Sequence, residues 1–144
     1  MAKFLPALQL VLKHEGGLVD SIADSGGITN FGISYAFYKK SIKPDATAED
    51  IKRLNVSEAE DIYKRYFWDR ADFESIESQA ICNRLFDLSV NCGLAHAVGI
   101  IQRAVNACNG SHLVTDGQLG GKTIDAINSI PFILNQCITS PTEW

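Results

Sequence analysis

The residues best suited to chemistry lie in one short stretch near the start of the chain. Glu15 is followed at once by two glycines, and a second carboxylate, Asp24, and a hydroxyl, Thr29, follow in a glycine-rich segment. At the end of a helix the partial negative charge of the backbone disfavours an ionised carboxylate, and apolar neighbours add to the effect. We therefore expect Glu15 to favour the protonated form that a general acid needs near neutral pH.

This ordered set of groups fits glycoside hydrolysis. A protonated carboxyl group donates to the leaving oxygen, while a second polar group orients water or stabilises positive charge on the far side of the sugar; two carboxyl groups about 6.5–9.5 Å apart favour inversion. Each residue also has an ordinary explanation: Glu15 as a solvated helix-end residue, Asp24 as a turn former and Thr29 as a strand residue. The order of the three favours the chemical interpretation.

The sequence predicts a helix and a ribbon that could position these groups. Apolar side chains recur at helical spacing at Phe4, Leu8, Val11 and Leu12, and the helix is expected to end at Gly16-Gly17. The segment 18–33 is rich in glycine and β-tolerant residues, which predicts a small irregular hairpin or ribbon. Glu15 is thus placed where the helix gives way to the ribbon.

Helical patterns account for the rest of the chain. Predicted helices run from Ser34 to Lys40, from Thr47, from a capping box at Ser57–Glu60, from about Glu77 to Cys92, from Leu94 to Cys108, from Lys122 to Asn128 and from Pro131. The fold class is therefore mainly α (α+β), a helical domain with a small β-hairpin near the N-terminus. We predict one domain over residues 1–144, with the glutamate, the ribbon and the following helices in 1–76 and a helical half in 77–144.

Composition limits the possible functions. The formal net charge of -4 argues against a general nucleic-acid binder held by phosphate contacts. No stretch approaches the roughly 20 apolar residues that a membrane-spanning helix needs, and the first residues lack the features of a signal peptide. We expect a monomer without stable membrane insertion, made in the cytoplasm and acting at the periplasm or cell wall after export or release.

The cysteines and aromatic residues favour structural roles. Cys82, Cys92, Cys108 and Cys137 form no CxxC pair and no zinc-finger spacing, so we expect small buried hydrophobes and neither a metal nor an organic cofactor. The helically spaced aromatic residues favour core packing over sugar stacking; they are Tyr63, Tyr66, Phe67 and Trp68. His14 is not expected to pair with Glu15, because adjacent helix residues point apart.

Several stretches of the sequence resemble motifs of a known protein family. The residues Glu15-Gly16-Gly17, Val19, Asp24, Gly26-Gly27, Thr29-Asn30 and Gly32-Ile33 are in register, without gaps, with the N-terminal motif of the glycoside hydrolase family 108 muramidases of phage endolysins and secretion-associated lysozymes. Further similar stretches are 66–69, 85–93, 97–104 with Gln102, and Asp116-Gly117-Gln118-Leu119-Gly120 with Lys122-Thr123.

The resemblance implies a lysozyme-like fold and hydrolysis of the bond between N-acetylmuramic acid and N-acetylglucosamine in peptidoglycan strands. It implies that Glu15 is the catalytic acid, that Asp24 and Thr29 assist it, and that residues 77–144 resemble a peptidoglycan-binding half. Asn30, Asp87 and Asn91 are predicted to bind substrate. The last two lie one helical turn apart and could equally make a contact within their helix.

Two alternatives remain open. A lytic transglycosylase also uses one glutamate but forms a 1,6-anhydro sugar without adding water. A non-catalytic wall-binding protein on a degenerate lysozyme scaffold would fit the altered ribbon, in which Leu18 replaces the family's aromatic residue and Asp20-Ser21-Ile22 replaces its Asn-Asp-Pro.

Overall fold

The computed structural model describes residues 1–20 and 27–131, and within them the chain is mainly helical. The helices are α1 (Phe4–Glu15), α2 (Tyr35–Ser41), α3 (Ala48–Lys52), α4 (Val56–Tyr66), α5 (Gln79–Cys92), α6 (Leu94–Asn109) and α7 (Gly121–Asn128). The strands β1 (Leu18–Asp20), β2 (Ile28–Asn30) and β3 (Ile33–Ser34) form an antiparallel sheet in that order. The predicted lysozyme-like α+β fold is confirmed. The helix predicted from Pro131 lies outside the described residues, apart from Pro131 itself.

Local capping explains where several helices begin. The Ser34 hydroxyl accepts a hydrogen bond from the Phe37 N–H at 3.1 Å, as predicted for the start of α2. The predicted start of α4 was two residues late, because Asn55 and not Ser57 caps it. The Asn55 side chain accepts from the Glu58 N–H at 2.9 Å, and the Glu58 carboxylate accepts from the Asn55 N–H at 3.0 Å. Asn is as good a cap as Ser, and the earlier start adds helical hydrogen bonds.

The core is centred on α5, which packs against both α1 and α6. Trp68, in a short 3-10 turn after α4, is buried and stacks on Phe73 with ring centroids 5.1 Å apart. Phe86 of α5 meets the Trp68 ring edge-on at 5.3 Å. Such aromatic contacts add to the free energy gained by burying these large side chains. Because α5 contacts helices on both sides, it connects the N-terminal and C-terminal parts of the fold.

The cysteines have different environments. Cys82 is fully buried, and burial raises the pKa of its thiol to about 12. Cys92, at the end of α5, is exposed. The prediction of small buried cysteines is thus confirmed for Cys82 and wrong for Cys92, because the last turn of α5 reaches solvent; Cys137 lies outside the described residues.

None of the helices in residues 1–20 and 27–131 combines the length and the apolar character needed to cross a bilayer.

Candidate active site

The end of α1 carries Glu15 into a glycine turn. Glu15 is the last residue of α1, Gly16 follows in an extended conformation, and Gly17 has a φ of 81°, a region that favours glycine. A side chain at Gly16 would place its Cβ 3.2 Å from the Leu12 carbonyl oxygen, so the turn fits glycine closely. The backbone of Glu15 is therefore held one tight turn from β1, as predicted. The side chain of Glu15 lies outside the part of the chain that the structure describes.

The sheet brings Thr29 back to this turn. Val19 in β1 pairs with Thr29 in β2, and Thr29 in turn pairs with Ser34 in β3. The predicted ribbon is therefore a three-stranded sheet with half-buried Thr29 on its central strand. Because neighbouring strands lie about 4.8 Å apart, Thr29 is held close to the segment that leaves Glu15. Asp24 lies outside the described residues, so its predicted role stays a prediction.

Asn30 anchors the sheet to α3. Its side chain is buried, and its amide nitrogen donates to the Ile51 carbonyl at 3.0 Å and to the Leu54 carbonyl at 3.3 Å. Since two backbone carbonyls take up its donors, the observed role of this amide is to tie β2 to the end of α3. The prediction that Asn30 also contacts substrate stays a prediction.

A groove of about 190 Å³ opens beside the sheet. Five parts of the chain contribute to its wall: the β2–β3 turn, β3, α2, α4 with the residue after it, and α5. The residues that line it are Gly32, Ile33, Ser34, Phe37, Tyr63, Phe67 and Val90. The rings of Phe37 and Phe67 lie 5.3 Å apart, and most of the lining is apolar. A concave, largely apolar surface with a few polar groups is typical of small-ligand sites, and aromatic rings suit the apolar face of a sugar.

One contact links the last turn of α1 to α5, the helix that supplies Val90 to the groove wall. His14 Nδ1 lies 3.3 Å from Asp87 Oδ1, so the last turn of α1 contacts α5 at that point. Val90 follows Asp87 by three residues, about 4.5 Å along the helix axis. Val90, which lines the groove, therefore lies less than one helical turn from Asp87, which contacts His14.

The aromatic residues in α4 and directly after it differ in their surroundings. Tyr63 and Trp68 are buried, as the core interpretation predicts, and the Tyr63 hydroxyl donates to the Phe31 carbonyl at 2.7 Å. That bond fixes the β2–β3 turn, where Phe31 has a φ of 51°. Half-buried Phe67 and buried Tyr63 both line the groove, whereas Trp68 does not. Helical spacing alone could not separate these two environments.

The second pair of predicted binding residues lies on α5. The Asn91 side chain donates to the Asp87 backbone carbonyl at 2.9 Å, which is the predicted contact within the helix. The Asp87 side chain is 4% exposed and approaches His14 and, at 3.6 Å, the Arg84 guanidinium. A role of Asp87 and Asn91 in binding substrate stays a prediction.

Sequence reasoning missed the partner of His14. It excluded Glu15 as that partner but named no other, since Asp87 is 73 residues away. The sequence contained one signal for a contact between His14 and α5. His14 follows buried Val11 by three residues and so lies on the face of α1 that packs on α5.

A comparison with known families agrees with this geometry. The model of the glycosyl hydrolase 108 family matches residues 8–93, more than half of the chain. The chain belongs to the glycosyl hydrolase 108 family. No curated protein sequence matches it. Among solved structures it is similar to SagA of Brucella abortus, with a TM-score of 0.74 and 26% sequence identity over 93% of this chain and 73% of that chain.

Membership in this glycosyl hydrolase family makes the chain a glycoside hydrolase that acts on a glycan, which agrees with a largely apolar, aromatic groove beside the sheet. The match begins in α1 and ends at Gly93, directly after α5. Every element that frames the groove lies inside the matched range. Within the described residues no three His, Cys, Asp or Glu side chains form a metal-binding group.

Beyond the range matched by the glycosyl hydrolase 108 family, a buried glutamine organises the loop before α7. The Gln102 amide nitrogen donates to Asp116 at 2.9 Å and to Thr123 at 3.0 Å, and its oxygen accepts from the Gly117 N–H at 3.0 Å. A Cβ at Gly117 would lie 2.6 Å from the Ala95 carbonyl oxygen, so glycine is required there. The hydrogen bond from Gln102, followed by one from the Gln118 N–H, lowers the pKa of Asp116 below its usual value. The role that the structure shows for Gln102 and the segment 116–123 is therefore to hold the loop before α7.

Proposed function

We propose that this chain is an N-acetylmuramidase that hydrolyses the bond between N-acetylmuramic acid and N-acetylglucosamine in peptidoglycan, with Glu15 as the general acid. The observation that carries the proposal is the position of Glu15 at the end of α1, one glycine turn from the sheet, in a chain of a glycoside hydrolase family. The helix end also favours the protonated form of a carboxyl group at this position.

In the proposed reaction, Glu15 donates its proton to the glycosidic oxygen as the bond from that oxygen to the anomeric carbon breaks. A water molecule forms the new bond to the anomeric carbon and gives up a proton, which a carboxylate accepts. We assign Asp24 to orient this water or to stabilise the developing positive charge, and Thr29 to assist it from β2. No metal or organic cofactor is needed for this chemistry.

The groove supplies a place for part of the glycan. Phe37 and Phe67 offer aromatic faces for the C–H groups of a sugar ring, and the Ser34 hydroxyl lies on the same wall. We propose that the substrate is the glycan strand of peptidoglycan outside the cytoplasm, which the protein, acting as a monomer, reaches after export or release.

The decisive experiment measures soluble products. Purified wild type and the Glu15→Gln variant are incubated with peptidoglycan, and released fragments are analysed for new reducing ends and by mass spectrometry. Since general acid catalysis contributes about 10²- to 10⁴-fold, Glu15→Gln should lower the rate at least 100-fold while folding and wall binding are kept. The matched control is Glu74→Gln, which removes an exposed glutamate in the loop before α5 and should leave the rate unchanged.

Each outcome decides between the alternatives. Equal rates for wild type and Glu15→Gln refute the assignment of Glu15. Fragments that lack the added water and end in a 1,6-anhydro sugar identify a lytic transglycosylase. Wall binding without released fragments from either protein identifies a non-catalytic wall-binding protein.

A further inference from the structure

Helices α1 and α5 are tied together by polar contacts at both ends of α1. Near its N-terminus, the Lys3 N–H donates to Gln79 Oε1 at 2.7 Å, and Gln79 Nε2 donates to the Lys3 carbonyl at 3.0 Å. Near its C-terminus, His14 Nδ1 lies 3.3 Å from Asp87 Oδ1. We name the first contact the N-terminal clamp and the second the C-terminal clamp. The apolar side chains of Leu8 and Val11, both buried, lie between them along α1.

The C-terminal clamp differs from the N-terminal clamp because it contains a buried carboxyl group. The Asp87 side chain is 4% exposed, whereas the His14 side chain is 47% exposed. The Arg84 guanidinium lies 3.6 Å from the other Asp87 oxygen, Oδ2. A buried carboxylate is strongly disfavoured unless it is paired and hydrogen-bonded. The burial of Asp87 therefore favours conformations in which His14 and Arg84 stay beside it.

That constraint acts on the residue next to Glu15. Consecutive Cα atoms are about 3.8 Å apart, so fixing the His14 side chain on α5 fixes the backbone that carries Glu15. The chain then turns through Gly16 and Gly17, which have no side chain that could anchor the turn by packing. Because this glycine turn is intrinsically permissive, the end of α1 depends on contacts such as the C-terminal clamp for its position.

We propose that Asp87, acting through His14, is a positioning residue for the catalytic end of α1. The proposal rests on the proposed function of Glu15. It assigns Asp87 a task other than sugar binding: the carboxylate holds the imidazole, and the imidazole holds the last turn of the helix beside the groove. Misplacing a reacting group by about 1 Å can lower a rate by about 100-fold, so a loose helix end should affect turnover more than binding.

The test compares variants at the two clamps. Asp87→Asn and His14→Ala should lower kcat by about 10- to 100-fold on soluble glycan strands while KM changes less than about threefold. His14→Asn should restore part of the lost kcat, because its amide nitrogen can take nearly the position of Nδ1. The matched control is Gln79→Ala, which breaks the N-terminal clamp on the same helix pair and should leave kcat unchanged.

A second measurement does not depend on activity. Amide hydrogen exchange in residues 12–17 should be faster in Asp87→Asn and His14→Ala than in wild type or Gln79→Ala, since local opening reports on the contacts that hold a segment. An unchanged kcat in the C-terminal clamp variants, or an equal loss in Gln79→Ala, would overturn the positioning role. If the wild type itself releases no products, the proposed function fails; unchanged exchange in residues 12–17 would then refute the clamp as well.

Discussion

Replacing Asn30 by Ala tests whether this residue of the candidate site holds the fold together. The substitution removes an amide that donates to the Ile51 carbonyl at 3.0 Å and to the Leu54 carbonyl at 3.3 Å. Each intramolecular hydrogen bond contributes about 0.5–1.5 kcal/mol to stability, and a buried acceptor left without a partner costs more. The Ile51 carbonyl keeps a second hydrogen bond, from the Leu54 N–H at 3.2 Å, which limits this additional cost.

The expected loss in the free energy of unfolding is therefore about 2 kcal/mol. For a chain of this length, about 1 kcal/mol corresponds to roughly 4 °C in Tm, so Asn30→Ala should melt about 8 °C below wild type. Chemical denaturation monitored by tryptophan fluorescence measures the free energy directly, because Trp68 is in the core. The midpoint should fall without a change in the slope.

The matched control is Asn91→Ala. Asn91 is exposed and donates one hydrogen bond within α5, so its removal should change stability by less than about 0.5 kcal/mol. The reasoning fails if Asn30→Ala is as stable as Asn91→Ala. Unchanged stability together with weaker glycan binding would instead identify Asn30 as a substrate contact.

Two further predictions concern the thiols and the loop before α7. At pH 8 a thiol reagent should modify exposed Cys92 in the native protein but reach Cys82 only on unfolding, because burial raises the pKa of the Cys82 thiol to about 12. Mass spectrometry of labelled peptides shows which cysteine is modified. Rapid labelling of Cys82 in the native protein would contradict this prediction. The lowered pKa of Asp116 means that its contribution to stability is present above its ordinary pKa of 3.8 and is lost as the pH falls through the lower folded value. Asp116→Asn should remove this contribution to the pH dependence of stability. The free energy of unfolding is measured for both proteins between pH 2 and 5, and parallel plots of that free energy against pH would contradict the prediction.

The amino-acid sequence by itself determined the local features of the candidate site. The helical stripe of α1 and the glycines after Glu15 fix where the helix ends, since both effects act within a few residues. The cap of α2 at Ser34 followed in the same way. The cap of α4 did not, because Asn55 and Ser57 are both followed three residues later by a glutamate and local sequence offers two equivalent starts.

Only the tertiary structure decided which distant groups meet. Asn30 bonds to carbonyls 21 and 24 residues away, and His14 pairs with Asp87 across 73 residues. Helical spacing grouped Phe67 and Trp68 together as core residues but could not show that Phe67 lines a groove while Trp68 is buried in the core. The physical reason is that local hydrogen bonds depend on neighbours in the chain, whereas pairing and burial depend on how whole helices and strands pack against one another.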